Sequence, residues 1–537
     1  MKIYHYLAAS AALLFAACQE PLEETFQEIE VETDTSIAPT KQQTILGKAI
    51  ENPYSLNYMR QALAEYQKTS PSKAALNYEI EANFLHVRFL PANADEFNQL
   101  LADTTIELFD HPMLCEIEQE GEAYHDPSLP EDAITWQYTT VPIDYKFPNI
   151  EYEIIDSCFV PEDEPETLKK SRRGFNPEDL TAIAFRLAGQ EYEEDNSLSK
   201  SRKIPSGQFR VLNNAFAANS STNYSWTGII GIKVRVYNGI RWDHTHTDIN
   251  GNYKMSKRYA TRLHYHIKFR TSDDIIINNL MFDLDAADMG LGWHPKNGYS
   301  KDFDFGSKVW MWATVNNAIY IFRKQLCPHF NIPTPYLKLH VFAANRKANK
   351  KYTTGSAPMG RHIDIETKWW QELCIGLFGV TPIKKLAPDV MIFERGSTKE
   401  IYSNVFHEMA HVCHYTNVEK FFWRNYVHYI IKQDGYGDKN DKNSGYCGVG
   451  EMWGYYFGNY ACSKYYMNYT KDWNEDKSWF KPGILYYLVQ DVGLTERQIF
   501  DCMTKDVTSH DLLKQALCNK YPSKKNLIIK VFNNYNF

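Results

Sequence analysis

Residues 396–418 read GSTKEIYSNVFHEMAHVCHYTNV, and this stretch predicts a helix that carries a group of metal-binding side chains. Ser397 and Glu400 stand three residues apart, which is the spacing of a capping box at the start of a helix. Apolar residues then recur at helical spacing, at Ile401, Val405, Met409 and Val412. His407 and His411 are four residues apart, so their imidazoles project from one face of the helix and can converge on one ion.

Glu408 adds a carboxylate beside the first of these histidines and completes the pattern HExxH, which a chain of this length contains only rarely by chance. The motif resembles that of the zincin metallopeptidases, and the resemblance implies a mixed α/β catalytic domain with a bound Zn²⁺. Zinc lowers the pKa of its bound water to about 7. Glu408 would then act as the general base, taking the proton as the water attacks a carbonyl group.

The third metal ligand would come from farther along the chain. Metzincins continue the motif with a glycine and a third histidine, but His414 and Asn417 occupy those places, which excludes that subgroup. Gluzincins use a glutamate from a later helix, and Glu451 follows a glycine-rich loop and begins an aromatic-rich helix. The segment 435–438 partly matches the GTxD motif of aspzincins and makes Asp438 the alternative ligand. Because that loop is hydrophilic and suits a preorganised ligand poorly, we expect Glu451.

Other residues near the motif are weaker candidates. His414, Tyr446 and Tyr455 could donate hydrogen bonds to the oxyanion of a tetrahedral intermediate, although residues of these types more often line a pocket or fill a core. Residues 355–360 precede the motif helix. They could form the edge strand along which zincins hold extended substrates by strand addition.

The N-terminus has the pattern of a lipoprotein signal peptide. Lys2 supplies a positive charge, and the apolar run over residues 7–17 is shorter than the about 20 residues that cross a bilayer. Cys18 follows Phe-Ala-Ala and resembles the lipidated cysteine of the bacterial lipobox; the alternative is an ordinary signal peptide with a chance cysteine. Gln19 and Glu20 resemble the export signal of surface lipoproteins. We therefore expect an outer-membrane lipoprotein, anchored through lipid on Cys18 and exposed at the cell surface.

The whole chain divides into regions that predict a multidomain α+β protein. They are a lipoprotein signal peptide (1–18), an acidic tether (19–43), an N-terminal α+β module (44–160), a charged linker (161–205), a β-sandwich (206–278) and a zincin-like mixed α/β domain (279–537). Asn176 and Pro177 would open one helix within the linker. The last domain would end in a helical subdomain, with N-caps at Thr495 and Ser509.

Periodicity predicts individual elements within these regions. The predicted helices cover residues 45–66, 94–101 and 308–326, and the predicted strands cover 84–89, 337–343 and 389–393. Three segments of the N-terminal module, at 84–90, 107–112 and 124–130, resemble a module of bacterial surface lipoproteins.

Residues 225–275 resemble the carboxypeptidase regulatory-like (transthyretin-like) β-sandwich, which serves as a spacer or adhesion module. Predicted strands at 229–237, 253–255 and 265–269 and the turn Thr247-Asp-Ile-Asn-Gly-Asn-Tyr253 carry the resemblance. Within each pair, the strand histidines point to one face, and the two pairs could meet on a metal; they are His244, His246, His264 and His266. Because neither a carboxylate nor a shielding apolar pattern accompanies them, we expect exposed or hydrogen-bonded histidines on the sheet surface.

Charge and cysteine usage exclude several classes of function. The net charge of −8, with no basic stripe, argues against a nucleic-acid partner. Nine cysteines remain after Cys18 and form no CxxC pair, so neither a thiolate zinc site nor a dense disulfide framework is indicated.

The expected function is that of a surface-anchored zinc-dependent peptidase acting on proteins, peptides or glycoproteins outside the cell. The alternative is a catalytically silent adhesion or binding lipoprotein with a zincin-like fold. A third possibility is a structural zinc site. Such sites are closed by four protein ligands, which here would require Glu451 together with Asp438 or His414.

Overall fold

The computed structural model describes residues 41–69, 78–163, 176–190, 202–215, 225–273, 275–278, 280, 284–335, 337–347, 355–363, 387–433, 435–466 and 478–537. The predicted signal peptide, the lipid-bearing Cys18 and most of the acidic tether lie outside these residues. Helices and several sheets alternate along the chain, which makes the protein a mixed α and β structure. None of the described helices combines the length and apolar character needed to cross a membrane.

The N-terminal module is built on a small antiparallel sheet. Its elements are β1 (Ile45–Ala49), α1 (Leu56–Thr69), β2 (Phe84–Leu90), α2 (Ala94–Ala102), β3 (Cys115–Gln119), β4 (Gln137–Pro142) and β5 (Glu151–Cys158). The order β4-β2-β5 puts the predicted strand β2 at the centre of the sheet. Asn93 caps the predicted helix α2 by accepting hydrogen bonds from two backbone amides. Both of these predictions are confirmed.

The helix predicted over residues 45–66 is wrong in its first part. Residues 45–49 form β1, which pairs antiparallel with β3, and the helix begins only at Leu56. Pro53 explains the difference, because proline lacks a backbone N–H and disfavours helical geometry in the residue before it.

Part of the predicted charged linker folds onto this module. The helix α3 (Pro177–Leu187) begins after Asn176, whose side chain accepts a hydrogen bond from the amide of Glu178, as the sequence predicted. Its buried face, with Leu180 and Phe185, shares a hydrophobic cluster with Met59 of α1.

Two further sheets contribute to one large core. The first joins β6 (Ser206–Asn213), β7 (Ser225–Gly228), β10 (Asn252–Lys254) and β14 (Lys301–Phe303). The second joins β8 (Ile232–Asn238), β9 (Arg241–His246), β11 (Leu263–Thr271), β12 (Ile275–Asn278), β13 (Asp288–His294), β15 (Leu339–Lys347), β16 (Gly355–Ser356) and β17 (Val390–Glu394). Its order is β16-β17-β15-β12-β11-β8-β9, with β13 paired to β11. The strands predicted over 337–343 and 389–393 correspond to β15 and β17.

The predicted boundary between residues 278 and 279 falls inside this second sheet. β12 ends at Asn278 and pairs in parallel with β15, with Ile275 opposite Leu339. One hydrophobic core runs from Phe209 of β6 to Phe532 near the C-terminus. The strands assigned to the β-sandwich therefore share both a sheet and a core with the region assigned to the catalytic domain.

The remaining α-helices of five residues or more among the described residues lie in the C-terminal half of the chain. They are α4 (Lys308–Ile321), α5 (Thr398–Gln433), α6 (Ser444–Trp453), α7 (Cys462–Tyr466), α8 (Gly483–Gln490), α9 (Glu496–Phe500), α10 (His510–Lys520) and α11 (Lys525–Asn533). α4 continues through a π-helical turn at Phe322–Leu326, which confirms the helix predicted over 308–326. Thr495 and Ser509 cap α9 and α10, also as predicted.

The N-terminal module docks at the end of the large sheet that lies opposite β16. Glu107 forms ion pairs with Lys233 (2.9 Å) and Arg235 (3.2 Å) of β8. Asp163 pairs with Arg241 of β9 at 2.7 Å. The module also contacts β11, where Glu120 meets His264, and four strand spacings separate β11 from β16, which is about 19 Å at roughly 4.8 Å per spacing. The module is therefore held well away from the edge formed by β16.

The sheet histidines belong to this docking region. His264 lies 2.7 Å from Glu120 and His266 lies 3.3 Å from Asp288. His264 is fully buried, which corrects the expectation of a histidine on the sheet surface. Among the described residues these histidines form no metal-binding group. Three of the four, His244, His264 and His266, pair instead with carboxylates, which all come from outside the strands on which the prediction was based.

The cysteines of the described residues are free thiols. Cys327 and Cys413 come closest to each other, with 3.9 Å between their sulfur atoms, and both are fully buried.

Candidate metal centre

The motif helix α5 places His407, Glu408 and His411 together in the core. Its N-terminus is fixed by Ser397, whose hydroxyl accepts a hydrogen bond from the amide of Glu400 at 3.2 Å. The side chains of the three motif residues are at most 3% exposed. The Nε2 atoms of the two histidines lie 3.0 Å apart. Within the described residues, these three side chains form the group that could hold a metal ion.

Glu451 reaches the two histidines from α6. Its Oε2 lies 3.6 Å from Nε2 of His407, and its Oε1 lies 3.6 Å from Nε2 of His411. Burial alone would raise the pKa of this carboxyl group, but the two imidazoles lower it to about 2. A tetrahedral cation with bonds of about 2.0–2.1 Å separates its ligand atoms by about 3.3 Å. The observed separations of 3.0 and 3.6 Å fit such an ion.

Glycines allow α6 and its continuation to approach the motif helix closely. A Cβ atom on Gly454 would lie 2.6 Å from Cε1 of His411 and 3.1 Å from Cε1 of His407. A Cβ atom on Gly458 would lie 2.3 Å from Cα of His407. Together with Gly450, these residues form a row with a spacing of four, which is one face of a helix. The sequence interpretation missed this row, although the spacing was visible.

The start of α6 also differs from the expectation. Glu451 was expected to begin its helix after a glycine-rich loop, but α6 begins at Ser444 and includes Gly448 and Gly450. Glycine disfavours helix in isolation, which explains the wrong expectation. In this protein tertiary packing outweighs that preference. The helix lies so close to His510 that a Cβ atom on Gly448 would be 2.7 Å from the ring of His510.

A π-helical segment, Gly454–Ala461, continues α6 and places two more residues beside His407. The ring of Tyr455 lies 4.7 Å from that of His407. The amide of Asn459 lies 3.3 Å from Nδ1 of His407. The amide nitrogen faces Nδ1, and the amide oxygen accepts a hydrogen bond from the hydroxyl of Ser403 at 3.2 Å. With the amide turned over, its oxygen would accept a hydrogen bond from Nδ1–H and leave the Nε2 lone pair for a cation. Asn459 was not among the residues predicted from the sequence.

The loop that contains Asp438 reaches the cluster through a different residue. Asp438 is exposed, and its carboxylate accepts hydrogen bonds from Asn440. Tyr436, two residues earlier, places its hydroxyl 3.4 Å from Oε2 of Glu451 and 3.3 Å from the hydroxyl of Tyr455. The structure therefore does not bring the alternative ligand Asp438 to the histidines.

His414 and Tyr446 do not lie at the cluster either. His414 packs against the rings of Phe422 (5.1 Å) and Trp423 (5.9 Å), and its burial lowers its pKa to about 3. Tyr446 packs on Phe422 at 4.9 Å and lines a separate cavity of about 290 Å³. Of the three predicted oxyanion donors, only Tyr455 is beside a predicted metal ligand.

The short strand β16 runs directly past Glu408. It pairs antiparallel with β17, and a Cβ atom on Gly355 would lie only 2.8 Å from Oε1 of Glu408. Just beyond β16, the indole N–H of Trp423 donates to the carbonyl oxygen of Ala357 at 3.1 Å. Among the strands that the structure describes, β16 is the outermost on this side of the sheet, and it lies beside the motif glutamate, as anticipated for residues 355–360.

Taken chemically, this arrangement offers two imidazoles and one carboxylate as ligands, with a second carboxylate close by. The chain was compared with protein-family models, with curated proteins and with solved structures, and none of the three comparisons finds a match.

Proposed function

We propose that this chain is a zinc-dependent hydrolase that cleaves peptide bonds in proteins, peptides or glycoproteins outside the cell. The observation that carries the proposal is the meeting of Glu451 with both motif histidines, at 3.6 Å from each, beside the buried carboxylate of Glu408. Two imidazoles and one carboxylate form the ligand set of catalytic zinc sites, which keep the fourth position for water or substrate. The set matches the gluzincin pattern.

Each residue would have a separate role in the reaction. His407, His411 and Glu451 would hold the ion, and zinc, when bound, supplies Lewis acidity and lowers the pKa of a coordinated water. Glu408 would accept a proton from the attacking water and pass it to the leaving amine. The edge strand β16 would bind an extended substrate through main-chain hydrogen bonds. This mode of binding suits a peptide better than a compact small molecule.

Two alternatives are less well supported by the side chains present. A silent adhesion protein has no need for a complete set of three ligands and a buried base. A structural zinc site would be closed by a fourth protein ligand. The candidates for that role, Asp438 and His414, are respectively exposed and packed against Phe422.

The cellular setting and the domain family remain part of the proposal. We propose that lipid on Cys18 anchors the enzyme to the outer membrane with its folded part at the cell surface. We also propose that the chain contains a zincin-like catalytic domain and, before it, a transthyretin-like sandwich, and that strands of the two belong to one sheet.

The first test is the zinc content of the purified full chain, measured by inductively coupled plasma mass spectrometry. We expect about one zinc per chain, retained in Glu408→Gln and lost or greatly reduced in His411→Ala and Glu451→Ala. Glu400→Gln, a change at the exposed start of the same helix, is the control. A peptide-library assay should then show cleavage that Glu408→Gln abolishes. A wild-type chain without zinc under zinc-replete conditions would contradict the proposal.

A further inference from the structure

We infer that Tyr426 and Tyr436 are positioning residues that hold the two carboxylate oxygens of Glu451 toward the histidine pair. This inference rests on the proposed metal site and concerns the orientation of its third ligand. The hydroxyl of Tyr426 donates to Oε1 of Glu451, and that of Tyr436 lies 3.4 Å from Oε2. Each oxygen therefore has one hydroxyl partner and faces one imidazole at 3.6 Å.

A glutamate needs such partners to serve as a defined ligand. The last torsion of its side chain has a broad and roughly two-fold energy profile, so the carboxylate plane is not fixed by the chain itself. Glu451 is also fully buried, where an ionised carboxylate is costly unless it accepts hydrogen bonds. Two hydroxyl donors, one on each oxygen, meet both requirements, because they fix the plane and compensate for lost hydration.

The position of Tyr426 is built into the fold. The helix α5 is interrupted at Glu419, whose φ of 63° and ψ of −179° turn the chain, and the following segment packs back on the motif. Through this turn the ring of Tyr426 comes within 5.8 Å of that of His411 and rests on Trp423 at 4.5 Å. Gly450 leaves the necessary space, since a Cβ atom there would lie 3.2 Å from the ring of Tyr426.

The position of Tyr436 is built by a different segment. Tyr436 stands between Gly435 (φ 128°) and Gly437 (φ 56°), both in the left-handed region that glycine adopts readily. Its carbonyl oxygen accepts a hydrogen bond from the hydroxyl of Tyr429 at 3.0 Å, and its ring packs on Phe480 at 4.6 Å. Both the backbone and the ring of Tyr436 are thus fixed, which leaves its hydroxyl directed at Glu451.

The test compares Tyr426→Phe and Tyr436→Phe with the wild type in the full chain. Zinc affinity is measured by competition with a chelator, and the site geometry by the visible absorption spectrum of the Co²⁺-substituted protein. Loss of an outer-shell partner of a metal ligand typically costs 10–100-fold in metal affinity, and we expect this range for each variant. The Co²⁺ bands should also shift, because the carboxylate is no longer fixed.

Tyr456→Phe is the matched control. Tyr456 is buried five residues beyond Glu451, and its hydroxyl donates to another carboxylate, that of Glu496, at 3.1 Å. This control should keep wild-type zinc affinity and an unchanged Co²⁺ spectrum, whatever it does to thermal stability.

The outcomes separate this inference from the proposed function. If the wild type binds zinc and both Phe variants bind it within about twofold, with unchanged Co²⁺ spectra, the positioning role is refuted and the metal site stands. Lower melting temperatures with unchanged zinc affinity would refute it equally, because they would show a purely structural role. A wild type that binds neither metal refutes both the inference and the proposed function.

Discussion

At the scale of single residues, the candidate site depends on Gly454, which has no Cβ atom. Gly454 faces both motif histidines, and a Cβ atom there would lie 2.6 Å from one imidazole and 3.1 Å from the other. Contacts this short cannot be absorbed without moving a helix or turning a ring. The absence of a side chain at residue 454 therefore lets the glutamate-bearing helix come within ligand distance of the histidines.

Gly454→Ala should consequently weaken zinc binding at least tenfold and reduce the free energy of unfolding by about 1–3 kcal/mol, as is usual for an overpacked core. Chelator competition and urea denaturation measure the two effects. Gly396→Ala is the control, because the nearest atom to its Cβ would lie 3.5 Å away, at ordinary contact distance. Wild-type zinc affinity in Gly454→Ala would show that the helices do not meet here as described.

At the scale of elements, the turn at Glu419 decides what packs on the motif. A φ of 63° with a ψ near 180° is a conformation that only glycine adopts without cost, and other residues in it store about 1–3 kcal/mol. This conformation reverses the chain and lets Trp423 and Tyr426 pack on His411, with ring centroids 5.6 and 5.8 Å away.

Glu419→Gly should therefore raise the free energy of unfolding, by about 1 kcal/mol. The neighbouring substitution Lys420→Gly should lower it by about the same amount, because Lys420 lies in the helix that follows. Urea denaturation of the two variants measures both signs in one experiment. Equal destabilisation by both changes would mean that residue 419 is not strained.

The sequence predicted elements where local signals dominate. The N-caps at Asn176, Thr495 and Ser509 were predictable because a capping side chain interacts with its own first turn. The turn at Glu419 was not, because neither glycine nor proline marks it and the apolar spacing continues past it.

The same reasoning applies to the site. His407, Glu408 and His411 were predictable because they share one helix face. The approach of Glu451 was anticipated only through a family resemblance. The contributions of Tyr426 and Tyr436 depend on long-range packing that no periodicity reveals.

At the scale of the whole molecule, the large sheet unites two regions that the sequence had separated. β12 lies between β11 and β15, so strands from before and after residue 278 hold one another in place. A short apolar strand followed by a change to helical pattern suggested a boundary there. A change from strand pattern to helix pattern also occurs where a crossover connection links two parallel strands of one sheet. Here the connection links β12 to β15.

A protein comprising residues 279–537 should therefore fail to fold cooperatively, whereas one comprising 202–537 should fold. The shorter chain lacks β12 and leaves the backbone of β15 unpaired on that side, with its apolar neighbours exposed to water. Solubility and a cooperative thermal transition by circular dichroism distinguish the two. Cooperative unfolding of the shorter protein would restore the boundary at residue 278.

The docking of the N-terminal module should make stability depend on pH through His264. Burial lowers the pKa of His264 from 6.5 to about 4, in spite of its contact with Glu120. Between these two pH values the unfolded chain binds more protons at this histidine than the folded chain does. The contribution of His264 to the free energy of unfolding is therefore fully present above about pH 6.5 and is lost as the pH falls toward 4. The loss is about 3 kcal/mol at most, from the size of the pKa difference.

Urea denaturation at several pH values between 7.5 and 4 measures this effect. His264→Asn should flatten the dependence on pH, whereas His428→Asn, at an exposed position, should leave it as in the wild type. A slope that is the same in all three proteins would assign the acid sensitivity to other groups.

The turn at Glu419 has a consequence for the way the chain folds. His407, His411, Tyr426, Tyr436 and Glu451 all lie within the single stretch 407–451. The reversal of the chain at Glu419 lets the later part of this stretch pack on the earlier part. Contacts between residues close in sequence lose little entropy on loop closure and tend to form early, whereas the distant strand pairs of the large sheet form late. A cation captured by this stretch would stabilise the folding transition state as well as the native state. Zinc would then increase the rate of folding, and not only decrease the rate of unfolding.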